Sequence, residues 1–254
     1  MNQPQIQMVV PFNKSVRVLV IANVAIWVLG VLILQGLVFG DTRLLDWFAL
    51  TPSRVISDFW VWQLGTYMFL HASGVFHVLF NMLILWWFGA ELESRWGTRF
   101  FVTYYLVCGI GAGALYVIGT LLYYLVTGNA LVMATPLVGA SGATYGLLLA
   151  FGILFGERVI HFMMLFPMKA KWFVCIIGAV ELLTMLDAGM GSQTSNLAHL
   201  GGIVVGFVFL SFVARWRARN GPGASSKRGR RLKLVVNNES SSRPRGGDGP
   251  KYWN

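Results

Sequence analysis

The chain has 254 residues, of which 56% are hydrophobic and only 12% are charged. An ordinary soluble domain carries roughly 25% charged residues, so this composition argues against a soluble globular fold and is typical of an integral membrane protein. The formal net charge of +10 lies mostly behind the last apolar run, where it favours contact with anionic lipid headgroups over nucleic-acid binding.

Six apolar runs are long enough to cross a hydrocarbon core as helices, which takes about 20 residues each. In chain order they cover roughly residues 16–38, 75–94, 100–125, 141–157, 171–188 and 196–214. We therefore predict an all-α membrane protein, a six-transmembrane-helix bundle over residues 16–216. A short cytoplasmic N-terminus, residues 1–15, precedes it, and the basic Gly/Ser/Pro-rich segment 217–254 is predicted to be a disordered cytoplasmic tail.

Basic residues beside the apolar runs predict the orientation, because Lys and Arg in short flanking segments stay cytoplasmic. Eleven of the 20 basic residues follow the last run. Others on the same side are Lys14, Arg17, Arg95, Arg99, Arg158, Lys169 and Lys171, whereas the opposite side carries Arg43 and Arg54. We expect an integral, multi-pass protein with both termini cytoplasmic. The lack of a recognisable targeting segment favours the cytoplasmic membrane of a bacterium.

The first connection, about residues 39–74, is the long one. It mixes charged residues with aromatic ones, a combination that suits the headgroup level of a bilayer. The aromatic residues are Trp47, Phe48, Phe59, Trp60 and Trp62. We predict a partly membrane-inserted first loop rather than a separate soluble domain.

Glycines recur four residues apart on three of the predicted helices. The pairs are Gly109 and Gly113, Gly142 and Gly146, and Gly202 and Gly206. Helices in lipid gain little from the hydrophobic effect, so close backbone approach at small residues replaces it. We expect these stripes to bring helices into close contact.

Four polar side chains lie inside the apolar runs, where each is costly and therefore a functional candidate. His77 and Asn81 occur in HVLFN, Ser141 in GASG and His199 in AHLGG. In the predicted orientation the second, fourth and sixth spans begin at the outer face. All four residues lie within about two turns of those starts, ~10 Å or less in depth. They are predicted to share one depth on one side.

The pairing of Ser141 with His199 suggests nucleophilic catalysis. A serine hydroxyl is a weak nucleophile until a base takes its proton, and histidine is the usual base. The amides of a helix start have no intrahelical partners, so the backbone of Ser141 could hold an oxyanion, with Gly139 and Gly142 keeping it accessible. His77 and Asn81, one turn apart, could add side-chain donors to the same charge.

The surroundings of this pair are also predicted. Tyr145 lies one turn after Ser141, where its ring could pack on the His199 imidazole. Glu181 and Asp187 belong to the fifth run, and no intramembrane acid is expected to complete a triad, so a Ser–His dyad is the economical arrangement. Glu181 is interpreted as a gate contact or a hydrogen-bonded structural acid.

Structural roles are the alternatives to catalysis. A lone serine in an apolar helix often bonds to its own backbone, and a lone intramembrane histidine often bonds across helices. A metal site of His71, His77 and His199 is a further alternative. It would leave Ser141 and Asn81 without a role, so no metal and no other cofactor is expected.

The polar motifs resemble those of the rhomboid intramembrane serine proteases, in order along all six runs. HVLFN is similar to the family's His-xxx-Asn element, GASG with Tyr145 to its Gly-x-Ser-Gly segment, and AHLGGIVVG to its Ala-His-xx-Gly-xxx-Gly helix. The resemblance implies a rhomboid-like bundle with a Ser141–His199 dyad and an oxyanion site of the Ser141 amide, His77 and Asn81. This sequence has Trp62-Gln63 in the first loop, where members often have Trp-Arg.

The resemblance also implies what the protein acts on. It would be a serine endopeptidase that cuts transmembrane segments of other, single-pass membrane proteins within the lipid bilayer, near the outer face. A non-enzymatic relative that binds transmembrane clients would lack Ser141 or His199, and both are present. A small-solute transporter is disfavoured because no internal repeat is apparent. The sequence does not predict the oligomeric state.

Overall fold

The computed structural model describes residues 12–40, 43–162, 166–188 and 194–220. It is mostly helical (81%). Most of the predicted N-terminal segment and nearly all of the predicted tail 217–254 lie outside the described residues. The described residues up to Ala214 form one compact unit.

The described elements follow one another with short connections. In chain order they are α1 (Lys14–Ala25), a π-helix that continues it (Ile26–Phe39), α2 (Arg43–Phe48), α3 (Pro52–Ser57), α4 (Gln63–Thr66), a 3₁₀ turn (Tyr67–Phe69), α5 (Val75–Trp96), α6 (Thr98–Thr127), α7 (Leu131–Ala134), α8 (Ser141–Leu154), β1 (Val159–Phe162), β2 (Phe166–Lys169), α9 (Ala170–Ala188) and α10 (Thr194–Asn220).

Helices occupy each of the six predicted positions, but they differ in how well they suit a membrane. Within the described residues, four segments are long and apolar enough to cross one: Lys14–Val38, Val75–Trp96, Thr98–Thr127 and Ser195–Asn220. The apolar α8 has 14 residues, and α9 has 19 residues that include Lys171, Glu181 and Asp187. The protein is therefore an integral, multi-pass membrane protein. That it has six membrane spans remains a prediction.

The core is built around α6, whose inward face is aromatic. Phe101, Tyr104, Tyr105 and Tyr116 on this helix are fully buried. The Tyr104 hydroxyl donates to the carbonyl of Gly146 on α8 at 2.8 Å. A Cβ on Gly206 of α10 would lie 2.5 Å from this hydroxyl, so the glycine leaves room for a buried polar group and the partner it needs.

The glycine stripes do not all serve helix–helix contact. A Cβ on Gly202 of α10 would overlap the carbonyl of Gly142 on α8, so these two backbones touch. The stripe of Gly109 and Gly113 instead receives side chains of the 3₁₀ turn, since added Cβ atoms there would meet Met68 and Tyr67. For this pair the expectation of a helix–helix seam is wrong, because the first loop fills the groove.

The first loop is fastened by a fully buried amide. The side chain of Gln63 is 0% exposed; its Oε1 accepts from the Thr51 amide at 3.0 Å and its Nε2 donates to the Asp46 carbonyl at 3.2 Å. An antiparallel bridge between Leu50 and Leu137 ties the loop to the segment before α8. Gln63 therefore holds the first loop in place. Its insertion into a bilayer remains a prediction.

A short hairpin joins α8 to α9 and was not predicted. β1 and β2 pair antiparallel, with Val159 opposite Lys169 and His161 opposite Pro167. The exposed Glu157 beside it receives hydrogen bonds from Lys169 and Lys171, and these hold the pKa of its carboxyl at about 2, well below the usual range.

Candidate active site

Ser141 is the first residue of α8, at the end of a loop that is held in place from both sides. The Gly139 amide donates to the Tyr67 carbonyl at 3.0 Å, and Gly139 has a φ of +119°, which L side chains rarely adopt. A Cβ at Gly139 would also lie 2.9 Å from Nε2 of His77. Glycine at this position thus permits the turn and leaves the Ser141 backbone open.

His199 lies on α10 and faces Ser141 across the contact of the two helices. Its Nε2 is 2.8 Å from Ser141 Oγ, a hydrogen-bond distance between residues 58 apart in the chain. The seam of Gly142 and Gly202 brings the two helices this close. The arrangement lets the ring nitrogen accept the hydroxyl proton.

Two further side chains touch the His199 ring. The Tyr145 ring stacks on it with centroids 4.3 Å apart and planes 6° from parallel. Glu181 of α9 has Oε2 3.1 Å from His199 Nδ1, and its Oε1 accepts a hydrogen bond from the Tyr145 hydroxyl. The expectation that no intramembrane acid reaches this histidine is therefore wrong for Glu181, because α9 turns this residue toward α8 and α10.

His77 and Asn81 lie on one face of α5, opposite Ser141. Nδ1 of His77 accepts from the Ala72 amide at 3.2 Å, so in the neutral ring the proton sits on Nε2, which becomes a donor. Asn81 is 5% exposed and uses its Nδ2 to donate to the His77 carbonyl at 2.8 Å. An amide nitrogen has two hydrogens, so one remains for a ligand.

The predicted polar residues line one cavity of about 550 Å³. His77, Asn81, Ser141, Tyr145 and His199 all contribute to its wall. The other lining residues, most of them not singled out in the sequence, are Phe76, Phe80, Ile84, Pro136, Leu137, Val138, Thr144 and Ser195. The cavity is therefore mainly apolar with a few converging polar groups, the usual composition of a binding site.

His71 is buried beside this cavity and does not line it. Its side chain is 0% exposed, and its ring centroid is 5.2 Å from that of His77. Burial, and then the charge of His77, lowers its pKa to about 4, which the nearby Phe69 backbone only partly offsets. Within the described residues no group of three His, Cys, Asp or Glu side chains is arranged to hold a metal ion.

Known proteins match most of this chain. The family model described as "Rhomboid domain" matches residues 58–216. RHOMBOID-like proteins 1 and 4 of Arabidopsis thaliana are 35% and 32% identical to the chain over 68% and 66% of its length. The Rhomboid protease GlpG of Yersinia pseudotuberculosis serotype I (strain IP32953) is 27% identical over 83% of the chain.

The relatives are longer than the region they share with this chain. The match covers 39% of each plant protein and 64% of the Yersinia protein. Ser141, His199, His77 and Asn81 all fall inside residues 58–216, the range of the family model.

Proposed function

The chain belongs to the rhomboid family, and we propose that it is an intramembrane serine endopeptidase whose Ser141 and His199 act as a catalytic dyad. One observation carries the proposal: His199 Nε2 lies 2.8 Å from Ser141 Oγ, at the wall of a cavity of about 550 Å³. A serine hydroxyl within hydrogen-bond distance of an imidazole is the arrangement that a nucleophile and its general base require.

The first chemical step forms an acyl-enzyme. His199 Nε2 takes the proton of Ser141 Oγ as the oxygen attacks a peptide carbonyl, and the carbonyl oxygen becomes an oxyanion. The tetrahedral intermediate then breaks its C–N bond, and the imidazolium returns the proton to the leaving amine. Water next attacks the ester while His199 takes one of its protons; the bond from the acyl carbon to Ser141 Oγ then breaks, the imidazolium returns the proton to Oγ, and the acid product leaves.

The oxyanion needs donors that are already in place. The amide of Ser141 belongs to the first turn of α8 and so has no intrahelical partner. His77 presents Nε2–H, because Ala72 occupies Nδ1, and Asn81 has one amide hydrogen left. Removing one donor of such a site typically lowers kcat by about 10² to 10³-fold. We assign these three groups to the oxyanion site.

The substrates we propose are transmembrane segments of single-pass proteins, cut near the outer face. In support, the cavity is mainly apolar, and its polar residues lie near the starts of α5, α8 and α10, which the charge pattern predicts to be on the outer side. Both termini would be cytoplasmic, with residues 16–216 as the membrane domain and 217–254 as a basic tail. We propose a bacterial cytoplasmic membrane, as the sequence analysis expects, and a bacterial relative aligns over 83% of the chain.

The test is cleavage of a model transmembrane substrate by the full-length protein in detergent and in liposomes. Ser141→Ala should abolish cleavage and leave the thermal unfolding temperature nearly unchanged. The control is Ser211→Ala, which removes a hydroxyl from α10 outside the cavity and should retain activity. Cleavage by Ser141→Ala, or its loss in both variants, would reject the assignment.

A further inference from the structure

Glu181 stands behind His199, on the opposite side of the ring from Ser141. Its Oε2 is 3.1 Å from His199 Nδ1, while Nε2 of the same ring faces Ser141 Oγ at 2.8 Å. Both side chains are largely shielded, at 14% exposed for Glu181 and 16% for His199. Glu181 is not part of the cavity wall, so it acts on the site through the ring and not through a substrate.

Tyr145 joins the acid to the ring in a second way. Its hydroxyl donates to Glu181 Oε1, and its aromatic face stacks on the imidazole at 4.3 Å between centroids. The carboxylate is thereby held with one oxygen on Tyr145 and the other on His199. The stacked ring prevents the imidazole from tilting out of line with Ser141.

The backbone of α9 is tied to α10 at the same level. Asn196 is 5% exposed and donates to the Glu181 carbonyl at 3.4 Å and to the Thr184 hydroxyl. The Thr184 hydroxyl itself donates to the Glu181 carbonyl at 3.0 Å. Since Asn196 precedes His199 by three residues on α10, the acid and the imidazole are fixed to neighbouring points of one contact.

A carboxylate at Nδ1 decides which nitrogen of a neutral imidazole carries the proton. For Nε2 to accept the Ser141 proton, the ring proton must sit on Nδ1, and a carboxylate acceptor selects that form. The contact to Glu181 is at hydrogen-bond distance but departs from linear geometry, so Nδ1 has no well-aligned acceptor in this resting arrangement. The Glu181 carboxylate attracts the His199 ring most strongly when the ring becomes protonated during attack by Ser141.

We propose that Glu181 is a positioning residue that extends the Ser141–His199 dyad to a Ser141–His199–Glu181 triad. It fixes the tautomer of the imidazole and stabilises the protonated ring. This rests on the proposed function, since it assumes that His199 is the base. In this proposal Glu181 is neither a gate contact nor a purely structural hydrogen-bonded acid. Tyr145 holds the carboxylate in this role.

The test is steady-state cleavage by the full-length Glu181→Gln variant. The amide can still accept from Tyr145, but its NH₂ then faces Nδ1 and favours the wrong tautomer. We expect kcat to fall roughly ten- to a thousand-fold with KM little changed. Glu181→Asp should recover part of the loss. Asp187→Asn removes an exposed carboxylate from the same helix and should behave as the unaltered protein.

Two measurements separate this role from a structural one. The ring ¹⁵N shifts of the four histidines should report Nδ1–H for His199 in the unaltered protein and a shift toward Nε2–H in Glu181→Gln. Unaltered kcat and tautomer in Glu181→Gln, or a loss of activity that only follows the loss of folded protein, would overturn the inference. The dyad itself would stand if a serine-directed probe still labelled Ser141 in that variant, and would fall with it if Ser141→Ala retained cleavage.

Discussion

The Gly202 backbone lies so close to the Gly142 carbonyl that a Cβ at position 202 would overlap the carbonyl oxygen. This contact joins α8 to α10 at the residue that follows Ser141 and about one turn after His199. The distance between hydroxyl and imidazole therefore depends on two residues that have no chemistry of their own.

Gly202→Ala is expected to push α8 and α10 apart. The methyl group meets backbone, which cannot rotate away as a side chain can, so we expect a cost of about 1–3 kcal/mol or more. The thermal unfolding temperature and kcat should both fall. The control is Gly178→Ala on α9, where the nearest atom to a new Cβ is Ile203 Cδ1 at 3.7 Å, an ordinary contact. Wild-type kcat in Gly202→Ala would contradict the close seam.

Asn81→Ala is expected to lower kcat by roughly a hundred- to a thousand-fold, because the oxyanion loses a donor. Substrate binding should change less. Asn23→Ala is a matched control: Asn23 is 0% exposed and its Nδ2 donates to the Leu19 carbonyl at 2.8 Å, the same bond within a helix that Asn81 makes. Equal losses of kcat, or a loss in Asn81→Ala explained by unfolding, would make Asn81 structural.

Gln63→Ala should destabilise the first loop, since the partly buried Thr51 amide loses its acceptor. Leaving such a group unpaired costs about 1–3 kcal/mol, which thermal unfolding in detergent can resolve. Gln63→Met restores the volume without the hydrogen bonds and should remain destabilised. If Met restores full stability, packing and not hydrogen bonding fastens this loop.

His71 should make the protein sensitive to acid. Burial lowers its pKa from the ordinary 6.5 to about 4, so between these values the unfolded chain binds the proton more readily than the folded one. The stability this group contributes is present above pH 6.5 and is lost as the pH falls through about 4. His71→Gln should flatten the fall of the unfolding temperature over this range. His161→Gln, exposed on β1, should leave it unchanged, and an unchanged slope in His71→Gln would reject the explanation.

The helices and the polar residues of the cavity could be predicted from the sequence because both follow from local rules. Apolar length marks a helix in lipid, and a polar residue inside such a run is costly enough to point to function. The four residues at 77, 81, 141 and 199 were predicted at one depth, and all four line the same cavity.

The contacts that could not be predicted from the sequence depend on how the helices and loops are oriented relative to one another. Glu181 lies in the fifth apolar run of the sequence, but the rotation of α9 that brings it to His199 is set by packing with α8 and α10. The β1–β2 hairpin was missed because its strands are short and Pro167 argues against a strand. The buried role of Gln63 depends on Thr51 and Asp46, residues that local patterns do not connect to it.

The most direct test of the account is labelling of the full-length protein by a fluorophosphonate probe, with the modified residue identified by mass spectrometry. We predict that the unaltered protein is labelled at Ser141, that Ser141→Ala takes up no label, and that His199→Gln reacts far more slowly. Label on another serine, or labelling of Ser141→Ala at the rate of the unaltered protein, would contradict the pairing of Ser141 with His199.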